Sequence, residues 1–145
     1  ILTPSETVKD LFETNYLGTF LFSRECSKHM IKKKWGRIIN FSTIAVPLDL
    51  EGEMVYASSK SAIEKMSRIM SKELSTYNIT INTLGPTPVY TDLIKVVPKD
   101  KVEEIINMQT IKWFGSFEDI SNVTDFFISD ESSFITGQKI YLGGL

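Results

Sequence analysis

A phenol and an amine stand four residues apart in YASSK, Tyr56 and Lys60, at the start of a stretch that reads as a helix. Positions i and i+4 share a helical face, so the two groups can reach one ligand. A free phenol loses its proton at a pH of about 10, too high for exchange at neutral pH. An ammonium one turn away favours the phenolate and lowers that value, which makes the tyrosine usable as a general acid or base. Upstream, Thr43 offers a hydroxyl that can hold a carbonyl oxygen beside the phenol. Given a hydride donor, this set would reduce a carbonyl. Alone, Y-x-x-x-K is unspecific: helices carry the pair by chance, and a buried tyrosine beside a solvated lysine explains it as well.

Composition narrows the alternatives. The chain has 145 residues, 42% hydrophobic and 23% charged, with a formal net charge of −2. That is enough for one domain with a core, and it gives no bulk attraction to nucleic acid or an anionic membrane. One cysteine, Cys26, excludes an internal disulfide framework and fits a reducing, cytoplasmic setting; it reads as a small buried hydrophobe. One histidine, His29, reads as structural and leaves too few ligands of the usual types for zinc. The apolar run YLGTFLF meets Arg24 and Glu25 too soon to cross a bilayer, and no signal peptide is evident. Sequons at Asn40, Asn78 and Asn122 read as chance. A first residue of Ile1 suggests a piece of something longer or a processed product.

The positioning elements follow from patterning. A first helix is expected to begin at Thr3-Pro4-Ser5-Glu6 with a capping box, to kink near Asn15 and to run on to about residue 33. Lys32, Lys33, Lys34 and Arg37 read as a solvated helix end whose cations suit the dipole. GRIINFST reads as a buried strand ending at Ser42-Thr43, with Ser42 on the opposite face from Thr43. The spacing predicts a second helix over 54–77 with apolar residues from Ala62 to Tyr77, a Glu64–Arg68 pair on its outer face and a C-cap at Asn78. ITINTL is the next strand, followed by the rigid break Gly85-Pro86-Thr87-Pro88 and a lid-like segment, 92–114, with a short helix around Val102. Ser116 caps a last helix that should bury Ile120, Val123, Phe126 and Phe127, and KIYL closes the pattern as a strand before Gly143. Strands alternating with helices imply a parallel α/β sheet with right-handed crossovers. Ligands of such sheets bind beyond the carboxyl ends of the strands, which here are Thr43, Gly85-Pro86 and Gly143.

Taken in order, NYLGTF, GRIINFST, YASSKSA, ELSTYNITINTLGP, Thr91-Asp92 and ITGQKIYLGG resemble the C-terminal part of a short-chain dehydrogenase/reductase, with the pattern of 3-oxoacyl carrier-protein reductases. The likeness covers nearly the whole chain. It implies the C-terminal part of a Rossmann-like, doubly wound parallel sheet, with residues 1–145 forming the catalytic portion of a single domain. By resemblance, Tyr56 is the catalytic acid/base, and Lys60 lowers its pKa and bonds the nicotinamide ribose. Asn15 is the helix asparagine whose backbone holds a relay water, and Thr43 takes the place of the substrate-orienting serine. Pro86, Val89 and Thr91 match the segment at the nicotinamide end of an NAD or NADP cofactor. The implied activity is interconversion of a ketone, with 3-oxoacyl chains leading, and a secondary alcohol. The implied assembly is a homodimer or homotetramer through helices 4–33 and 54–77.

Three departures qualify the likeness. Threonine at 43 adds a methyl and a stiffer side chain. Thr87-Pro88 stands where the family has Pro-Gly and a bulky residue, so a position suited to glycine carries a β-branched one. The family's N-terminal nucleotide-binding half, with its glycine-rich turn, has no counterpart here. The chemistry therefore requires that half from elsewhere. The alternative is a non-catalytic half-domain acting as an oligomerisation or partner-binding module. Sequence leaves NAD against NADP open, and places substrate choice in the loop at 44–55 and the lid.

Overall fold

A computed structural model of the chain describes residues 2–92 and 94–144. Ile1, Leu145 and Leu93, the last inside the expected lid, lie outside the described residues. The element order is α1 (Ser5–Phe12), a π-helical turn (Glu13–Leu17), α2 (Gly18–Lys33), β1 (Gly36–Phe41), α3 (Met54–Leu74) with a 3-10 turn (Ser75–Tyr77), and β2 (Ile79–Gly85). A 3-10 turn (Ile94–Val96), α4 (Lys99–Met108), α5 (Phe117–Ile128), a 3-10 turn (Asp130–Ser132) and β3 (Lys139–Tyr141) complete it.

The kink expected near Asn15 is the π-helical turn: the Gly18 N–H reaches back five residues to the Glu13 carbonyl. Such turns insert one residue into a helix and concentrate at functional sites. The capping box at the start does not form. The helix begins at Ser5, Pro4 fills the cap position with extended backbone, and Thr3 falls one residue outside the reach of the first turn. The far end of α2 closes on Lys34 in the left-handed region, with Trp35 N–H on the Met30 carbonyl. This is the bonding pattern that glycine usually supplies at helix ends. Asn78, also left-handed, ends the 3-10 turn after α3 as expected.

The sheet is parallel in the order β1-β2-β3, with Gly36 opposite Ile79 and Gly85 opposite Tyr141. Every residue of β2 is buried, as a central parallel strand covered on both faces requires. Packed against each other, α2 and α3 cover one face, and α5 meets β1 and β2 from the other. The core holds Ile63, Ile79, Ile81, Leu84 and Phe127. A polar seam joins the layers: Ser23 Oγ donates to Asn40 Oδ1 at 3.4 Å, and Asn40 Nδ2 to Ser67 Oγ at 2.8 Å.

Four side chains sit otherwise than expected. Cys26 is exposed, because Ser23 and Ser27 take the inward positions of α2. Arg37 leaves the lysine cluster and is buried, donating to the Gly36 and Asn78 carbonyls with Asp130 3.8 Å away. Glu64 does not pair with Arg68 on the surface. It is buried, accepting from Ser42 Oγ, from Tyr141 OH at 2.6 Å and from Lys139 Nζ at 2.8 Å. Phe126 is exposed while Phe127 fills the core, because α5 turns the latter inward. At its start α5 is closed as expected: Asp119 N–H donates to Ser116 Oγ at 3.1 Å, and Ser116 N–H donates to the Asp119 carboxylate at 2.7 Å.

Candidate active site

Three strand ends open on one side of the sheet, and the segments that follow β1 and β2 line a cavity of about 580 Å³. Thr43 comes directly off β1. Ser42 N–H still continues the ladder to Leu84, and its hydroxyl turns away into Glu64. Thr43 therefore faces the other way, with its Oγ1 accepting the Ala45 N–H at 3.3 Å. Ile44 N–H donates to the Pro86 carbonyl at 3.3 Å, which ties the segment after β1 to the segment after β2.

The first turn of α3 brings Tyr56 to the same cavity. Its phenol is held above the ordinary tyrosine range, first by burial; a hydrogen bond with Thr43 pulls it down, and the Glu53 carboxylate pushes it up again. Lys60 lies one turn on, its ammonium 5.9 Å from the Tyr56 ring centre and donating to the Phe41 carbonyl at 3.2 Å. Burial holds the amine below the ordinary lysine range. The side chain faces the groove beside β1, away from the Thr43 side of the phenol. Asn15 reaches the site through the fully buried Ser59: Asn15 Nδ2 donates to Ser59 Oγ at 3.0 Å, and Ser59 Oγ donates to the Tyr56 carbonyl at 2.7 Å. The π-helical turn thus holds Asn15 against the helix that carries the phenol.

Pro86, Val89 and Thr91 line the same cavity as Tyr56. The loop forms with threonine at 87. A Cβ at Gly115 would come within 2.5 Å of the Thr87 methyl, so glycine there makes the room that the bulkier residue needs. Gly115 N–H donates to the Pro88 carbonyl at 3.0 Å, and Val89 pairs with Gly115 in an isolated bridge.

The structure thus gathers Thr43, Tyr56, Pro86, Val89 and Thr91 around one cavity, with Lys60 and Asn15 one layer behind. Its remaining wall is mostly apolar, with Ile44, Ala45 and Leu50 on one side and Ile94, Val97 and Ile105 on the other. These belong to the loop and lid to which the sequence assigns substrate choice. Sequence reasoning missed Glu53 at the cavity wall and Gln109, whose Oε1 accepts the Thr87 hydroxyl, and it put Glu64 on the surface with Arg68 when it is buried under Tyr141 OH and Ser42 Oγ. Among the described residues, no three His, Cys, Asp or Glu side chains gather as a metal site would need, and no helix is long and apolar enough to cross a membrane.

The donor set suits the nicotinamide end of a dinucleotide. An ammonium has three N–H donors, and Lys60 uses one on Phe41, leaving others for a ribose diol.

Residues 1–144 match the family model described as Enoyl-(Acyl carrier protein) reductase. The chain is 32% identical over 139 residues to the 3-oxoacyl-acyl-carrier-protein reductase FabG of Rickettsia conorii, covering 96% of this chain and 58% of that protein. It is 33% identical over 143 residues to a short-chain type dehydrogenase/reductase of Picea abies, covering 98% of this chain and 53% of that one. The chain spans little more than half the length of these relatives. In the solved structures, a candidate gluconate dehydrogenase from Agrobacterium tumefaciens superposes with a TM-score of 0.92 at 23% identity, covering 99% of this chain and 57% of that one. A candidate betaketoacyl-ACP reductase does so with 0.85 at 25%, covering 99% and 60%. A family model that matches residues 1–144, relatives above 30% identity and a shared fold leave one assignment: the chain belongs to the short-chain dehydrogenase/reductase family.

Proposed function

We propose that residues 1–145 form the C-terminal catalytic portion of a single short-chain dehydrogenase/reductase domain. The whole protein would interconvert a ketone and a secondary alcohol with NAD or NADP. One observation carries the reading: Thr43, Tyr56 and the Pro86–Thr91 segment, from three separate stretches of chain, line one cavity at the carboxyl ends of a parallel sheet.

In the reductive direction Thr43 holds the carbonyl oxygen, and Tyr56 Oη gives its proton to that oxygen. When bound, the nicotinamide supplies the hydride that adds to the carbonyl carbon, so one hydride and one proton convert C=O to CH–OH. Lys60 orients the ribose diol. Asn15, through Ser59, fixes the first turn of α3 so that the phenol keeps its aim. Apolar walls exclude water and favour a substrate with a hydrocarbon arm, which puts 3-oxoacyl chains first, as the printed name of the Rickettsia relative suggests. No glycine-rich strand-to-helix turn is present among the described residues, so the pyrophosphate end needs further chain. Leu21 and Phe22 on α2 and Ile69 on α3 expose apolar surface, which supports association of copies through these helices. It is also what a non-catalytic assembly module would show.

The test is NADPH or NADH oxidation by the protein at its natural length against a panel of ketones, repeated with Tyr56→Phe. Loss of the proton donor is expected to lower kcat/KM by a factor of about 100 or more. Undiminished turnover in that variant would remove Tyr56 from the mechanism, whereas no turnover of any ketone by the wild type would favour the assembly module.

A further inference from the structure

Thr87 is the residue that the family pattern does not explain, and its partner is equally unexplained. Gln109 directly follows α4 and is buried, with 2% of its surface exposed. Thr87 Oγ1 donates to Gln109 Oε1 across 22 residues of chain, while Gln109 Nε2 finds no partner. Buried amides normally satisfy both ends. This one is held by a single side chain, on the loop that lines the cavity.

The backbone around it marks the same place. Thr110 N–H donates to the Gly144 carbonyl at 3.1 Å, and Ile111 N–H to the Gly143 carbonyl at 2.8 Å. A Cβ at Gly143 would come within 2.1 Å of Gln109 Oε1. So the chain leaving α4 is pinned to the end of β3, and the glutamine projects from there to the loop after β2. The helix just before it supplies Ile105 to the cavity wall, and Thr87 lines the same cavity.

We infer that Gln109 is a positioning residue: with Thr87 it forms a side-chain latch that seats α4 on the loop after β2, and so sets the width of the substrate cavity. The latch rests on the proposed reading only for what fills that cavity, not for the contact itself. It converts the departure at position 87 from a tolerated substitution into half of a pair. Glycine or alanine at 87 would have no hydroxyl to offer, and Gln109 would then bury an amide with neither end bonded. Thr87 and Gln109 are therefore expected to be functional together and poor apart.

Two readouts test this in the protein at its natural length. Hydrogen exchange, followed over peptides from 99–108, is measured for wild type, Thr87→Val, Thr87→Ser and Gln109→Leu. Loss of one net hydrogen bond predicts exchange about tenfold faster in α4 for Thr87→Val and Gln109→Leu, with Thr87→Ser keeping wild-type protection. Steady-state kinetics supply the second readout: the two disrupting variants should lose kcat/KM mainly through KM, because a loosened wall binds substrate less well. Equal exchange in α4 for all four proteins would overturn the latch. So would protection lost equally from 36–41 and 79–85, which would mean that the pair holds the sheet and not α4. Faster exchange in α4 with no ketone reduction in wild type would leave the latch standing and reject the proposed reaction.

Discussion

At the scale of single residues, the phenol of Tyr56 is governed by opposing neighbours. Burial raises its pKa, Thr43 lowers it through a hydrogen bond, and Glu53 raises it through charge. A tyrosine that must give a proton works in its neutral form, so reduction should hold across neutral pH and fall as pH climbs into the phenol's range. Removing either neighbour shifts that fall in a defined direction. In Thr43→Val the bond that favours the phenolate is gone, and the basic limb should move to higher pH, with rate lowered about 100-fold by loss of a carbonyl-oxygen partner. In Glu53→Gln the repulsion is gone, and the limb should move to lower pH. The check is kcat/KM for ketone reduction against pH; movement in the same direction for both would contradict these assignments. Tyr56, Lys60 and Thr43 could be named as candidates from sequence because the chemistry restricts the residue types, and Tyr56 and Thr43 do line one cavity. Their balance could not be read there. From spacing alone the amine has the leading influence on the phenol, but Lys60 Nζ turns to the Phe41 carbonyl and burial leads instead. Glu64 and Gln109 were misread or unread for a related reason: their roles depend on partners 22 to 77 residues away, which local patterning does not see.

Among the elements, the junction of β2 and β3 leaves little packing tolerance. A Cβ at Gly85 would lie 2.3 Å from Cδ1 of the Tyr141 ring, and that ring's hydroxyl donates to buried Glu64. Gly36 is as crowded on paper, with a Cβ 2.4 Å from Met30 Sδ. The neighbours decide between them. Methionine is flexible and yields, whereas the tyrosine is a stiff plane tied at its far end. Gly85→Ala should therefore cost about 1–3 kcal/mol, the usual range for overpacking a closed site, and Gly36→Ala clearly less. Urea denaturation of each variant measures this, read from the midpoint with the slope unchanged. An equal cost at the two positions would show that ring rigidity is not what matters. At this scale the sequence was most informative. The helix expected over 54–77, the short helix around Val102, the strands GRIINFST and ITINTL and the Ser116 cap follow from periodicity and end signals, and the structure has α3 with its 3-10 turn, α4, β1, β2 and the capped α5 at those places. Failures fall at the fine level, where one residue of phase decides which side chain is inside: Thr3 outside the cap, Ser27 rather than Cys26 inward, Phe127 rather than Phe126.

For the whole molecule, the notable fact is surface left uncovered. Among the described residues β1 has a neighbour on one side alone, and Phe22, Phe41, Met54 and Ile69 expose apolar area around the helical face. Patches of this kind mark contact surfaces, and a bare parallel edge invites pairing. The protein at its natural length should therefore run as a dimer or larger by light scattering at micromolar concentration, and Ile69→Glu should shift its mass toward the monomer. A monomeric wild type would count against association through α3. Family membership was legible from ordered motifs alone. Which surfaces are covered was not, since that depends on chain other than this. The π-helical turn at Glu13–Leu17 has a consequence for this face as well. One residue turns an α-helix by about 100°, so the turn acts as a phase shifter between α1 and α2. Excising a single residue there would spin all of α2 about its own axis, carrying Ser23 away from Asn40 and a new stripe outward. The segment can thus absorb substitutions far better than it can absorb a change in length, and a one-codon deletion between Glu13 and Leu17 would rewrite the molecule's outer face without changing the identity of any other residue.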